Sequence, residues 1–245
     1  MYSCICQAND CFLCEAKLYD GLSSEQVCQI RGLLGKQAFA AHEMVFRQGE
    51  VNDYLYLLRS GQIKLTTSGP DGREQIIRIG IAGHLVGFDT VDDRIHTYSA
   101  ETLTPVEICK IRHRDMFRVL EQNPGVSRHM VELLNRELVQ AQFLIRVLGQ
   151  KTSAEKVALF ILSLVPKTGQ QDRVEELTLP LSRQEIASML VLTVETVSRV
   201  MSELKRARII EAPRRRIRIL NLQALRAFAG AAPLHGTRLG LLMPN

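Results

Sequence analysis

The spacing of apolar residues changes once along this chain of 245 residues, and that change limits what it can fold into. From Met44 to about Ile111, short strand-like runs are separated by glycines every eleven or twelve residues, which is typical of an antiparallel β sandwich or barrel. These glycines are Gly49, Gly61, Gly72 and Gly83. Beyond Arg114 the apolar residues follow helical spacing. The sequence therefore predicts an α+β fold in which a β domain precedes a helical region.

A narrow apolar stripe marks the first long helix, with steps that alternate between three and four residues. The stripe consists of Val131, Leu134, Leu138, Ala141, Ile145 and Leu148. Because most positions between them are polar, the stripe suits one partner helix, as in a two-stranded coiled coil. We therefore predict a homodimer formed through this helix, with packing against the chain's own domain as the alternative. Gly149 and the polar residues 150–153 then indicate a hinge.

Positive charge is concentrated toward the carboxyl end of the chain. Residues 182–218 include nine basic and four acidic side chains, whereas the net charge of the whole chain is only +5. A local basic excess beside a helical pattern suits a polyanion such as double-stranded DNA. A charged, solvated surface is the alternative explanation.

Two helix-start signals lie within this basic segment. Ser182 and Glu185 have the spacing of a capping box, so a helix should begin at Ser182. Thr193, after a three-residue turn, is a second expected cap. Two short helices joined by such a turn form a helix-turn-helix.

The second of these helices combines an apolar face with a face suited to DNA. Glu195, Ser198 and Arg199 point away from the apolar face, and such side chains can bond base edges, for example Arg to guanine and Glu to cytosine. Contacts to the DNA backbone are predicted for Thr193, Lys205, Arg206, Arg214, Arg215 and Arg216. The three arginines would lie in a hairpin wing. An ordinary amphipathic helix with a charged face is the alternative.

Residues 192–199 (LTVETVSR) resemble the recognition-helix motif of the Fnr branch of the Crp/Fnr superfamily of transcription regulators. Residues 59–64 (RSGQIK) and 82–89 (AGHLVGFD) extend the resemblance into the β domain. The resemblance implies an N-terminal β-roll sensor domain of the cyclic-nucleotide-binding type, a long dimerisation helix and a C-terminal winged helix-turn-helix. It also implies a DNA-binding regulator, not an enzyme, that binds an inverted repeat of TTGAT-like half-sites as a dimer and works with RNA polymerase. Glu195, Ser198 and Arg199 match the residues that read the half-site.

This organisation divides the chain into five segments. They are a cysteine-rich segment (1–20), the β-roll (21–114), the dimerisation helix (115–150), the winged helix-turn-helix (151–222), and a helix end with a flexible tail (223–245). Val191 departs from the family pattern, which usually has Gly in the turn of the helix-turn-helix. Since a β-branched residue is poorly suited to a positive φ, we expect this turn either to differ or to be strained.

Cyclic AMP is not the expected effector. Cyclic-AMP-binding relatives carry a Gly-Glu pair for the ribose, whereas this chain has Gly87-Phe88. Residues 96–102 also contain no Arg that could pair with a cyclic phosphate.

The cysteines suggest a metal-based sensor, because thiolates held close together bind iron-sulfur clusters or zinc. Fnr proteins hold a 4Fe-4S cluster with three amino-terminal cysteines and one in the barrel. The matching set here is Cys6, Cys11, Cys14 and Cys109, with Cys4 as an alternative ligand. Cys28, in a helical run, is expected to be buried or unpaired.

Other effectors remain open, namely zinc, a thiol-disulfide switch, haem, another small ligand, or none. We expect His84 and His96 to be surface residues rather than haem ligands. A metal-dependent enzyme is a remote alternative, because the sequence has no nucleophile-base constellation and no phosphate loop. No apolar run reaches the ~18 residues of a membrane span, and no secretory signal is recognisable. We therefore expect a cytoplasmic protein without membrane contact.

Overall fold

The structure is a computed structural model that describes residues 23, 27, 30–70, 72–88, 94–165, 176–179, 181–213 and 216–230. Its strands are β1 (Gly35–Phe39), β2 (Met44–Phe46), β3 (Tyr54–Ser60), β4 (Gln62–Ser68), β5 (Glu74–Ile81), β6 (Leu85–Val86), β7 (Ser99–Thr102), β8 (Val106–Arg112), β9 (Glu176–Thr178), β10 (Ile210–Glu211) and β11 (Arg216–Ile219). Its helices are α1 (His113–Gln122), α2 (Pro124–Gln150), α3 (Ser153–Ser163), α4 (Arg183–Leu190), α5 (Val194–Arg206) and α6 (Leu222–Phe228). The chain divides into two compact units, residues 1–63 with 80–139 and residues 64–79 with 140–245.

Two four-stranded sheets form the predicted β domain, in the orders β1-β8-β3-β6 and β2-β7-β4-β5. The pairings of β8 with β1 and β3 are antiparallel. All four glycines predicted to separate the strands have a positive φ, between 74° and 91°. At Gly61 a Cβ atom would also overlap the carbonyl oxygen of Pro105, so this tight turn between β3 and β4 requires glycine.

One face of the first sheet is covered by helices. Leu55, Leu57 and Ile111 from the strands pack in one buried cluster with Val119 of α1 and Met130 of α2. The strand residues point alternately into this cluster and away from it, as the period of a β-strand requires. The start of α2 is therefore anchored on the β domain.

The segment predicted as one helix over 115–150 is two helices, α1 and α2, interrupted at Asn123. Asn123 has a non-helical φ of −131°, and Pro124 begins α2, since Pro lacks an N–H but suits a first helical position. The side-chain amide of Asn123 donates to the carbonyl of Val119, 2.9 Å away. At its other end α2 continues through Gly149, so only residues 151 and 152 of the predicted hinge separate it from α3.

The carboxyl-terminal part of the second unit is a small helical domain with a three-stranded sheet in the order β10-β11-β9. Its core is built from apolar faces of α3, α4 and α5, in which Phe160, Ile186 and Leu204 are fully buried. Leu225 of α6 is also fully buried. Helix α6 therefore packs with this domain, whereas the predicted boundary at residue 222 separated most of it from the domain as a helix end. The predicted tail beyond residue 230 lies outside the described residues.

Within the described part of the chain, no helix is both long enough and apolar enough to cross a membrane.

Candidate nucleic-acid interface

Side-chain caps fix the starts of both helices of the helix-turn-helix. The backbone N–H of Glu185 donates to Ser182 Oγ at 3.2 Å, and the N–H of Ser182 donates to Glu185 Oε2 at 2.8 Å. At the start of α5 the N–H of Thr196 donates to Thr193 Oγ1 at 3.2 Å. Each cap satisfies N–H groups that have no partner within the helix. Both predicted helix starts are confirmed.

The carboxylate of Glu185 has a second partner besides its cap. Lys64 Nζ lies 3.5 Å from Glu185 Oε1. Partial burial raises the pKa of the Glu185 carboxyl. The hydrogen bonds from Ser182 and the charge of Lys64 lower this pKa by more than burial raises it, so the net shift is downward. The group is therefore held in its charged form.

The turn between α4 and α5 carries the strain that the sequence suggested. Val191 ends α4 in the left-handed conformation, with φ 53° and ψ 53°. The N–H of Leu192 reaches the carbonyl of Ala187 at 2.9 Å, which is the closing bond of a Schellman motif. The turn thus keeps the geometry that usually requires Gly, at a cost of about 1–2 kcal/mol for a residue with a Cβ.

Helix α5 has the two faces that its sequence predicts. Val197, Val200, Met201 and Leu204 are buried in the domain core. Glu195 and Arg199 are exposed, and Ser198 is half-buried. Hydrogen bonds from the backbone N–H of Glu195 itself and from the Thr193 side chain lower the pKa of the Glu195 carboxyl. The face predicted to read bases is therefore open, and its carboxylate can accept hydrogen bonds.

Exposed basic side chains also lie at the end of α5 and on β11. Lys205 and Arg206 are exposed in the last turn of α5. In β11, Arg216 and Arg218 are exposed whereas Ile217 and Ile219 are buried, which is the alternation that a strand of a hairpin wing requires. The predicted backbone contacts Arg214 and Arg215 lie outside the described residues.

The apolar stripe of α2 stays largely exposed within the described chain. Val131, Leu138 and Ile145 have exposed fractions of 65%, 55% and 70%. Leu134 and Ala141 are also exposed, and Leu148 is half-buried. The helix contacts its own chain through other residues, including the buried Phe143 and Val147, which lie on a different face. The stripe is thus available to a partner.

Of the predicted metal ligands, only Cys109 lies among the described residues. It is 7% exposed in β8 and packs in the cluster that covers the first sheet. Ile30 belongs to the same cluster and Val27 packs against it. These two residues follow Cys14 in the sequence, so the chain that leaves the amino-terminal cysteines packs in the same cluster as Cys109. Cys4, Cys6, Cys11, Cys14 and Cys28 lie outside the described residues. The described part of the chain contains no group of three or more potential ligands arranged for a metal.

The prediction that His84 and His96 are surface residues is wrong. They are 8% and 2% exposed. The ring of His96 stacks on the buried Phe46 at a centroid distance of 3.7 Å, so it lies in the aromatic core rather than on the surface.

The Gly87-Phe88 stretch, where cyclic-AMP-binding relatives carry Gly-Glu, is tied to the chain's own residues. Gly87 N–H donates to the Tyr98 hydroxyl at 3.0 Å, and the Asn52 amide donates to the Gly87 carbonyl at 2.8 Å. A Cβ atom at Gly87 would overlap the carbonyl oxygen of Tyr54. The glycine is therefore required by packing.

Two features of the second unit were not predicted from the sequence. Thr152 and Glu155 form another capping box at α3, and the Thr-x-x-Glu spacing could have revealed it. Hydrogen bonds from Lys151 and from Thr152 lower the pKa of Glu155 to about 2. The contacts of Lys64 and Ser188 between the β4–β5 hairpin and α4 had no sequence signal, since over 110 residues separate the partners.

Comparison with protein families gives two matches. A cyclic nucleotide-binding domain model matches residues 36–123, and a Crp-like helix-turn-helix domain model matches residues 155–228.

Similar proteins match over most of the chain. The nitrogen fixation regulation protein FixK of Bradyrhizobium diazoefficiens is 31% identical over 91% of this chain and 94% of its own length. The transcriptional activator protein Anr of Pseudomonas protegens is 31% identical over 78% of each chain. The fumarate and nitrate reduction regulatory protein of Salmonella typhi is 29% identical over 93% and 92%. The structure of FixK2 from Bradyrhizobium japonicum superposes with a TM-score of 0.71 at 26% identity, covering 81% of this chain and 98% of FixK2.

Val191→Gly should stabilise the helix-turn-helix. The substitution removes the left-handed strain of about 1–2 kcal/mol, offset by the higher unfolded-state entropy of Gly, so we expect a net gain of roughly 0.5–1 kcal/mol in unfolding free energy. Val191 is 58% exposed, so little burial is lost. Urea unfolding measures the change, with Val194→Gly at the first position of α5 as a control that should destabilise. A loss of stability in Val191→Gly would contradict the strained turn.

Proposed function

The chain belongs to the Crp/Fnr superfamily of DNA-binding transcription regulators, and from this premise we propose that it is an Fnr-type homodimer controlled by oxygen or redox state. The dimer would bind an inverted repeat of TTGAT-like half-sites, and a 4Fe-4S cluster would supply the signal. The observation that carries the proposal is the open face of α5, on which Glu195 and Arg199 are exposed just after the Thr193 cap. The relatives named above are regulators, so we propose gene regulation in the cytoplasm, with RNA polymerase as a partner, and not catalysis.

Base reading is assigned to Glu195, Ser198 and Arg199. Arg199 can donate two hydrogen bonds to guanine O6 and N7, and the charged Glu195 can accept from cytosine N4. A TTGAT half-site contains one guanine, and its complementary strand contains the paired cytosine. Ser198, half-buried beside them, can bond either kind of base edge.

Contacts to phosphate are assigned to the residues that frame this face. Thr193 lies at the start of α5, and Lys205 and Arg206 lie at its end. Arg216 on the exposed face of β11, together with Arg214 and Arg215, would bind from the wing. Such contacts position the protein on the duplex without reading its sequence.

Dimerisation is assigned to the α2 stripe. Its residues Val131, Leu138 and Ile145 are more than half exposed, and the helix is anchored on its own chain by other faces. This supports the coiled-coil interpretation over packing within the chain. In a two-fold dimer each stripe would contact the same stripe of the second copy.

The sensor is assigned to a 4Fe-4S cluster held by Cys6, Cys11, Cys14 and Cys109, with Cys4 as an alternative ligand. Sulfur is the donor that such clusters require, and Val27 and Ile30 pack with Cys109, which supports a site shared with the amino-terminal segment. When bound, the cluster would supply a centre that reacts with oxygen. Zinc and a thiol-disulfide switch use the same cysteines and are the alternatives that the cluster must be tested against.

Arg199→Ala and Arg206→Ala should have different effects on DNA binding. Arg199→Ala should weaken binding to the TTGAT repeat by ~1–3 kcal/mol and leave binding to a scrambled duplex nearly unchanged. Arg206→Ala should weaken binding to both duplexes alike and reduce the salt slope by about one. Fluorescence anisotropy at several salt concentrations measures both. If the two variants behaved identically, the assigned roles would be wrong.

Leu138→Glu should dissociate the dimer, because it introduces two facing charges into the apolar stripe. Val139→Glu is the matched control, since Val139 is 46% exposed but lies off the stripe. Sedimentation velocity should give a monomer for Leu138→Glu and a dimer for the wild type and for Val139→Glu. Equal dimer fractions in both variants would rule out the stripe as the interface.

Anaerobically purified protein should contain about four iron and four sulfide ions per chain, and air should bleach its colour. Cys109→Ser should lose most of this iron, whereas Cys28→Ser should retain it. Circular dichroism checks that both variants are folded. Full iron in Cys109→Ser would contradict its role, and zinc in place of iron in the wild type would replace the cluster assignment with a zinc site.

A further inference from the structure

The connection between the dimerisation helix and the DNA-binding domain is short and bonded at both ends. Only Lys151 and Thr152 separate α2 from α3. The N–H of Lys151 still donates to the carbonyl of Val147 at 3.2 Å, so the last turn of α2 reaches this residue. Thr152 is the N-cap of α3. Each of the two connecting residues is therefore bonded into one of the helices, and both belong to the same compact unit as the helix-turn-helix.

The ammonium group of Lys151 joins this connection to the end of α6. Lys151 Nζ donates to Glu155 Oε1 at 2.8 Å and to the carbonyl oxygen of Gly230 at 3.3 Å. Glu155 lies in the first turn of α3, and Gly230 follows the C-cap of α6. Lys151, Glu155 and Gly230 thus form a hinge joint, in which one side chain bonds the start of α3 and the end of α6 to the residue that follows α2.

The carboxylate of Glu155 serves the hinge joint and the cap of α3 with different oxygens. Oε1 accepts from Lys151, whereas Oε2 accepts from the N–H of Thr152 at 2.9 Å. The Lys151 and Glu155 side chains are 29% and 23% exposed, so solvent screens their attraction less than it would for a fully exposed pair. Removing the Lys151 ammonium would therefore open the joint and leave the cap in place.

The hinge joint requires glycine at position 230 for two independent reasons. The φ of Gly230 is 57°, in the left-handed region that a residue with a Cβ adopts only at a cost. A Cβ atom at this position would also overlap Glu155 Oε1 and lie 2.9 Å from Lys151 Nζ. The end of α6 can approach the ion pair this closely because residue 230 has no side chain.

We propose that Lys151 is a positioning residue for DNA binding, which holds the DNA-binding domain in a fixed orientation at the end of the dimerisation helix through Glu155 and Gly230. This role rests on the proposed function as a dimeric regulator. Two domains that bind one duplex must present their recognition helices at the separation of the half-sites. A fixed joint gives the second domain a high effective concentration at its half-site, whereas a loose joint must be ordered at a cost in affinity. A single half-site engages one domain, so its affinity does not depend on the joint.

Two substitutions open the hinge joint from opposite sides. Lys151→Met removes both side-chain bonds but keeps the apolar stem of the residue. Gly230→Ala forces the end of α6 away from Glu155 and leaves the charge of the chain unchanged. Lys156→Met is the matched control, because it removes one positive charge from the first half of α3 and keeps all three residues of the joint. Sedimentation velocity and circular dichroism check that each variant is a folded dimer.

Fluorescence anisotropy on the full-length chain measures Kd for a duplex with two inverted TTGAT half-sites and for a short duplex with one half-site. Lys151→Met and Gly230→Ala should each weaken binding to the inverted repeat by about three- to tenfold and change single-site binding by less than about twofold. In Lys156→Met the ratio of the two affinities should equal that of the wild type.

An unchanged ratio in either joint variant, with a wild type that prefers the inverted repeat to a scrambled duplex, would overturn the positioning role alone. A wild type without that preference would overturn the proposed function, and the positioning role with it.

The spacing of the half-sites supplies a readout that a loss of stability alone would not change. One base pair inserted between the half-sites requires each domain to turn at the end of its α2, and a fixed joint resists this turn. The wild type should therefore lose at least about twofold more affinity on this insertion than Lys151→Met. Equal losses in the two proteins would contradict a positioning role for Lys151.

Discussion

The hydrogen-bonded caps at Ser182 and Thr193 determine how the reading surface is presented. Each supplies an acceptor to helix N–H groups that would otherwise lack one, and together they fix where α4 and α5 begin. The left-handed residue Val191 then sets the turn between the two helices. With both starts and the turn determined, the apolar face of α5 must pack inward and Glu195 and Arg199 must remain outside.

Features that depend on neighbouring residues could be predicted from the sequence. The caps at Ser182 and Thr193 follow from spacing within a few residues, and Gly61 follows from the length of the strand runs. The interruption of the long helix could also be predicted, since Pro124 marks it. The burial of His96 and the bonds of Ser188 to β5 could not be predicted, because they depend on packing between residues far apart in the chain.

The apolar cluster on the first sheet connects the parts of the molecule assigned to sensing and dimerisation. Cys109 packs there together with Val126 and Met130, near the start of α2. Val131, which follows directly, belongs to the exposed stripe. A change in the surroundings of Cys109 would therefore displace residues adjacent to the stripe. Protein cores are close-packed, so even a small displacement is transmitted to neighbouring side chains.

We propose that two copies of α5, paired through α2, read two half-sites one helical turn apart. Duplexes with inverted TTGAT half-sites test it when the spacing between half-site centres is varied, with Kd measured on anaerobic protein. Binding should be tightest near a separation of about 10 base pairs. It should fall sharply when about five base pairs are inserted, because the second half-site then faces the opposite side of the duplex. Affinity that did not depend on the spacing would contradict it.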